Sequence, residues 1–207
     1  MENNLRELPE RLVSLSQEYG RQVSLLQITE LYNAVLNTPE GDIVEIGSST
    51  GGTTVVLVEA ANEKAKRVYS VDPYPEELEG VARDYEKGSM KIAKETFNRN
   101  ILHNYPQVTQ FNTQLKDCID QIPDNISVAF VDGLHELSYV KEEYLLLLPK
   151  MVKGGLMYFH DMGFSMGQLS KEGGLTEFPK WVQKGEIVEK DIRSRLEALQ
   201  QMLKIEI

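Results

Sequence analysis

Two short elements carry most of the side chains that could do chemistry. "VDGLHE" sets Asp132 and His135 three residues apart, and "FHD" sets His160 beside Asp161. Carboxylates gathered at one point can hold a divalent cation, which lowers the pKa of a hydroxyl and orients it. Asp132 and Asp161 are the expected ligands, with His160 as a third. Magnesium prefers oxygen donors and imidazole suits later metals, so magnesium and manganese are both candidates. A short turn after Asp132 lets His135 face the same ligand, and an imidazole titrates near neutrality. His135 is therefore the expected general base. Each histidine also has a plainer reading. His135 could begin an exposed helix, and His160 could be a strand-end side chain satisfied by a backbone carbonyl.

A third element lies earlier. "GDIVEIGSSTGGTT" runs from Gly41 to Thr54. An apolar strand passes through Glu45 into Gly47, Ser48, Ser49, Thr50, Gly51 and Gly52, and a helix follows. Glycines in a strand-to-helix turn allow positive φ or close approach of a ligand. Free N–H groups at the helix start suit a negative group. The spacing is G-x-x-x-G-G, which differs from the G-x-G-x-x-G of dinucleotide sites and lacks the Lys-Ser/Thr of a phosphate-binding loop. Asp72 ends the next strand, "RVYSVD", where a carboxylate can accept both hydrogens of a ribose diol. Alternatively it only starts a turn before Pro73. Glu45 sits in an apolar run, either buried and paired or at a wet edge.

The elements that must position these residues alternate along the chain. "LRELPERLVSLSQEY" and "SLLQITELYNAVLN" space apolar residues (Leu5, Leu8, Leu12, Leu15; then Leu25, Ile28, Leu31, Val35) as two amphipathic helices. Strands are expected at 43–46, 67–72, 108–111, 127–132 and 154–161, with helices between them. Such a pattern predicts an α/β fold: a doubly wound, mostly parallel sheet with helices on both faces. Ligands of such sheets bind at the carboxyl ends of the strands, where Gly47, Asp72, Asp132, His160 and Asp161 all fall. Residues 1–40 are expected to be helices packing on a core domain of 41–207, one structural unit overall. The tail "GEIVEKDIRSRLEALQQMLKIEI" reads as a helix or as two strands, "IVEK" and "MLKIEI". The run Leu145–Leu148 reads as core, His103 and Tyr105 as surface, and Phe178 and Trp181 as core cover or acceptor wall. "PEELEGVARDYEKG" is a solvated face or a lid over the cofactor edge.

Bulk properties exclude several classes. The chain has 207 residues, 41% hydrophobic and 26% charged, and a net charge of −10. A surface that acidic repels nucleic acid. No run is long enough to span a bilayer, the polar start is no signal peptide, and the single cysteine, Cys118, suits a reducing compartment. A cytoplasmic protein with a small-molecule substrate, alone or as a homo-oligomer, and with neither nucleic acid nor membrane as partner, is expected.

"VEIGSSTGGTT" and "VYSVDPY" resemble the first two motifs of class I S-adenosylmethionine-dependent methyltransferases. "VAFVDGLHELSYVKEEYLLLLPKMVKGGLMYFHDMG" is similar to the block from strand four to strand five of the macrocin-type O-methyltransferases and cephalosporin-hydroxylase-like proteins. The resemblance covers Leu25 to Gly163. It implies S-adenosylmethionine as cofactor, contacted by Glu45, Gly47, Ser48, Ser49, Gly51, Thr53, Asp72, Gln114 and Asp132. Glu45 and the loop would take the methionine portion, Asp72 the ribose, and Asn112 to Gln114 would lie near adenine. It also implies O-methylation of a small hydroxylated acceptor, a sugar or natural-product glycoside, with metal help from Asp132 and Asp161 and with His135 as base. Two positions depart from the family pattern: Ser49 where many members have glycine, and His160 where relatives can be acidic. The alternatives kept open are an NAD-dependent oxidoreductase and a non-catalytic nucleoside-binding protein on the same fold.

Overall fold

Why the site residues line up is visible in the strand register. The computed structural model describes residues 6–75, 89–134, 136–161 and 202–207. Among these residues, six strands form one sheet: β1 (Asp42–Ile46), β2 (Val68–Val71), β3 (Val108–Phe111), β4 (Ile126–Val131), β5 (Met151–Phe159) and β6 (Leu203–Glu206). Their order is β3-β2-β1-β4-β5-β6. All pairs are parallel except β5 with β6, where Leu156 to Phe159 run against Leu203 to Glu206. β1 is therefore central, and the chain order reverses between β1 and β4. That reversal makes the crevice in which α/β sheets take ligands.

The helices are α1 (Glu10–Glu18), α2 (Leu25–Asn37), α3 (Thr54–Glu63), α4 (Ser89–Phe97), α5 (Leu115–Cys118) and α6 (Leu137–Leu147). α1 begins only after Pro9, whose fixed φ suits a helix entry but not its interior. Leu8 and Leu12 are buried, while Leu5 lies outside the described residues. Ser24 and Gln27 form a reciprocal cap at the start of α2. Leu25, expected on the buried face, is 49% exposed because it sits in the first turn, ahead of the packed part of the helix. α4 continues into a wider π-helical turn, Asn98–Leu102.

Alternation along the strands builds two apolar layers. Ile43, Val68, Val128, Phe130 and Tyr158 face α1, α2, α3 and α4. Val44, Ile46, Val71, Val131, Met157 and Phe159 face α5 and α6. The fold is the doubly wound sheet that the alternation of strands and helices predicts. Of the Leu145–Leu148 run, only Leu147 is core. Leu145 is 56% exposed, since consecutive helical residues point about 100° apart and cannot share a buried face. The tail supplies strand β6 within "MLKIEI". The "IVEK" segment, Phe178, Trp181 and the 76–88 stretch lie outside the described residues. Lys204 of β6 and Tyr158 of β5 both meet Glu30 of α2, at 2.7 and 2.8 Å, which ties the far edge of the sheet to the helical layer. Among the described residues, no helix is long and apolar enough to cross a membrane.

Candidate functional site

Four residues leave their strands in one row. Each lies just past a strand and still donates its backbone N–H across the ladder. Gly47 donates to Val71 (2.9 Å), Asp72 to Phe111 (3.0 Å), Asp132 to Ile46 (2.8 Å) and His160 to Val131 (2.9 Å). The sheet thus places them side by side at its carboxyl edge, across the switch between β1 and β4.

Gly47 and Gly51 both take the positive φ expected of the turn, at 84° and 96°. A Cβ on Gly47 would overlap the carbonyl oxygen of Asp132. A Cβ on Gly52 would overlap the backbone nitrogen of Arg21. Close approach is needed, but by the protein's own backbone. The loop is clasped between the exit of β4 and the segment following α1, where the Thr50 hydroxyl donates to the Tyr19 carbonyl at 2.6 Å. Ser49 adopts φ 47°. That left-handed conformation is the one glycine takes without strain.

Asp72 is 5% exposed and holds this loop in place. Its Oδ2 accepts from the Ser49 N–H at 2.9 Å and its Oδ1 from the Tyr74 N–H at 3.0 Å. Burial raises its pKa, and the N–H groups of Ser49, Tyr74 and Ser48 work against that rise. A carboxylate has about four lone-pair sites, so three N–H groups leave it capacity for a further donor such as a ribose hydroxyl. Tyr74 was missed in the sequence. It is 4% exposed and donates its phenolic hydrogen to the Ser49 carbonyl at 2.6 Å. Thr53 is buried at the start of α3, and Gln114 flanks the start of α5 beyond β3.

Glu45 is fully buried on the central strand, so the wet-edge alternative is excluded. Its Oε2 accepts from the Thr54 hydroxyl at 2.5 Å, while Oε1 has no partner. Burial lifts its pKa to about 8. The Thr54 hydrogen bond opposes that shift, and the charges of Asp132 and Asp72 add to it. Ser70, its neighbour across the ladder, also has an unpartnered hydroxyl. An orphaned carboxylate oxygen beneath a loop of N–H donors fits a ligand that carries an ammonium group beside a carboxylate, as the methionine portion of S-adenosylmethionine does.

The second cluster sits one loop away. The His160 Nδ1 lies 2.9 Å from Asp132 and 3.3 Å from Asp161. Its side chain therefore meets carboxylates rather than the backbone carbonyl of the plainer reading. Burial pushes the His160 pKa down, but the two carboxylates outweigh it and bring it to about 10. One ligand atom from each of Asp132, His160 and Asp161 lies within 4.8 Å of the others. Two carboxylates and one imidazole at that spacing fit a divalent cation that displaces the proton His160 otherwise holds. His135 lies outside the described residues. Beneath this loop, Glu143 of α6 is 9% exposed, its Oε2 lacks a partner, and burial raises its pKa to about 8. Cys118 is buried, with its thiol pushed up to about 11, which suits no nucleophile. His103 is exposed as expected, whereas Tyr105 is partly buried and donates to Glu59 at 2.9 Å.

Residues 44–162 match the family described as Methyltransferase domain, and the chain belongs to that family. It carries a methyltransferase domain on a doubly wound sheet, which counts against the NAD-dependent alternative. It is 27% identical over 128 residues to an uncharacterised protein of Acanthamoeba polyphaga mimivirus, matching 60% of this chain and 54% of that one. The chain thus spans about half the length of that curated relative. Among solved structures it is similar to the O-methyltransferase NovP (TM-score 0.59, 20% identity, 88% of this chain and 80% of that one). It is also similar to the O-methyltransferase TomG from Streptomyces achromogenes, solved with SAM (TM-score 0.58, 15% identity, 87% and 79%). A third is the methyltransferase MycE, solved with Mg and SAH (TM-score 0.60, 14% identity, 98% and 55%). At these identities the likeness is one of fold.

Proposed function

We propose that the protein transfers the methyl group of S-adenosylmethionine to a hydroxyl of a small acceptor, a sugar or natural-product glycoside, with help from a divalent cation. One observation carries this reading. The glycine loop and the acid–imidazole cluster are in backbone contact, Gly47 lying against the Asp132 carbonyl. A sulfonium seated on the first would lie beside an oxygen held at the second, the proximity that methyl transfer needs. In this reading Glu45 and the N–H groups of the Gly47–Gly51 loop bind the methionine end. Ser48 and Thr53 support that loop, Asp72 takes the ribose diol, Gln114 borders adenine, and Asp132 faces both ligands. The C–S bond breaks as the C–O bond forms, leaving S-adenosylhomocysteine, and His135 takes the hydroxyl proton.

Asp132, His160 and Asp161 would hold the cation, which when bound lowers the pKa of an acceptor hydroxyl and orients it. The imidazole favours manganese over magnesium. That MycE was solved with Mg and SAH supports the pairing of metal and cofactor on this fold. The same reading makes residues 1–40 and 41–207 one working unit, since Gly52 touches Arg21. It places the protein in the cytoplasm, alone or as a homo-oligomer.

Thermal unfolding with S-adenosylhomocysteine or NADH tests the cofactor. The first should raise the melting temperature and the second should not. Transfer of labelled methyl from S-adenosylmethionine to a panel of sugars, glycosides and phenols then tests the acceptor class. Binding without transfer to any oxygen acceptor, at any added metal, would leave a nucleoside-binding protein instead.

A further inference from the structure

We propose that Tyr74 is the positioning residue of the cofactor site, its phenol clamping the glycine loop to the exit of β2 so that Asp72 meets the ribose diol in a fixed orientation. This rests on the reading that the loop binds S-adenosylmethionine. Three observations point to it.

The first is the set of phenol partners. The Tyr74 oxygen lies 2.6 Å from the Ser49 carbonyl, 3.2 Å from the Ser48 hydroxyl and 3.3 Å from the Gln110 amide nitrogen. A phenol has one hydrogen to give and two lone pairs. The carbonyl can only accept, so the phenol donates to Ser49 and accepts from Ser48 and Gln110. Burial raises the phenol's pKa, which keeps that hydrogen in place. A single atom thereby joins the loop after β1, the loop after β2, and β3.

The second is paired strain. Tyr74 has φ 43° and Ser49 has φ 47°, both in the left-handed region that side chains disfavour. Strain of this kind persists only where surroundings over-determine it, and it gathers at functional sites. Here both strained residues give their N–H to the same carboxylate, Asp72, and the phenol closes the ring of contacts by bonding Ser49 from the other side.

The third is where the ring packs. Tyr74 is 4% exposed and meets Phe97 at 6.4 Å between centroids. The ring fills the core, while among the described residues its oxygen reaches groups on the β1, β2 and β3 side of the switch. The β4 and β5 side carries Asp132, His160 and Asp161. The clamp's own contacts thus lie on the cofactor side, and none is with Asp132, His160 or Asp161.

Tyr74→Phe keeps the ring and removes the oxygen. Its affinity for S-adenosylhomocysteine, measured by calorimetry, should fall about 5- to 10-fold, the equivalent of one lost hydrogen bond. Its affinity for the 2′-deoxy analogue of S-adenosylhomocysteine should fall less than about 3-fold, because that ligand lacks a hydroxyl for Asp72 to hold. A merely structural role would weaken both ligands by the same factor. If the phenylalanine variant does not fold, Gln110→Met, which removes one donor to the phenol, should show the same ligand pattern on a smaller scale. Wild-type protein that fails to bind S-adenosylhomocysteine refutes the cofactor reading, and this inference with it. Wild-type protein that binds, with a variant that binds within twofold of it or loses both ligands equally, refutes this inference alone.

Discussion

Gly47→Ala isolates the contact that joins the two halves of the site. The substitution has two separable consequences. Gly47 has φ 84°, and an L-residue held there costs about 1–2 kcal/mol. The added methyl would also overlap the Asp132 carbonyl oxygen and stand 2.9 Å from the Gly133 Cα, both of them backbone atoms. Asp132 cannot withdraw freely, because its N–H is bonded to Ile46 at 2.8 Å. Overpacking against unyielding atoms costs about 1–3 kcal/mol. The total expected loss is therefore about 2–5 kcal/mol. Gly154→Ala is the matched control. Its φ is 81°, yet its added methyl would meet only the Pro39 ring, at 3.4 Å, an ordinary contact. It should lose the conformational part alone. Urea unfolding followed by circular dichroism, with unchanged m-values, measures both variants. If Gly47→Ala is no less stable than Gly154→Ala, the loop and the β4 exit are not in rigid contact, and the argument that couples the two subsites fails.

The remaining expectations are simpler. Glu143 has its pKa raised from the usual carboxylate range to about 8, so between pH 4.5 and 8 the unfolded chain releases a proton that the folded protein keeps. Stability conferred by the protonated form is thus full below pH 4.5 and lost as pH rises through 8, at up to ~1.4 kcal/mol per pH unit. Glu143→Gln should flatten this slope and gain most on the wild type near pH 8, with Glu45 keeping a similar slope of its own; an unchanged profile in denaturant melts at pH 5, 6.5 and 8 would show that Glu143 is ionised in the fold. Asp72→Asn turns an amide NH₂ toward a backbone N–H and should weaken S-adenosylhomocysteine binding by ~1.5–3 kcal/mol, and calorimetry giving equal affinity would remove Asp72 from the ribose. Manganese should bind the wild type more tightly than magnesium, and Asp161→Ala should abolish both heats. Tighter magnesium binding would mean that His160 is not a ligand. His135→Ala should slow turnover by ~10²–10⁴-fold while leaving cofactor affinity intact; a wild-type rate from pH 6 to 9 would assign the base elsewhere.

What could be read beforehand followed periodicity and strand ends. Gly47, Asp72, Asp132 and His160 were legible because each ends an apolar run, and a parallel sheet sends every such end to one edge. Tyr74 was not, since an aromatic between two prolines reads as loop, and only its strained φ and buried ring show its role. Glu143 did leave a trace: it shares a buried helical stripe with Val140, Tyr144 and Leu147, where a carboxylate stands out. The apolar count hid it, as it hid the exposure of Leu145. Glycine was rightly read as a sign of close approach, but sequence cannot say what approaches. At Gly52 it is Arg21, thirty-one positions upstream.

The antiparallel strand β6 also sets an order on the protein's birth. β5 is finished at Phe159, but β6, its described neighbour on the outer edge, exists only once Leu203 to Glu206 have been made. At ordinary elongation rates a nascent chain waits on the order of several seconds between the two. Throughout that interval, Leu156 to Phe159 lack the ladder bonds that β6 supplies, and Tyr158 and Glu30 lack Lys204. A ribosome stalled in this window would display an adhesive strand. Chaperone capture of this chain should therefore peak on nascent lengths between β5 and β6 and end once β6 emerges.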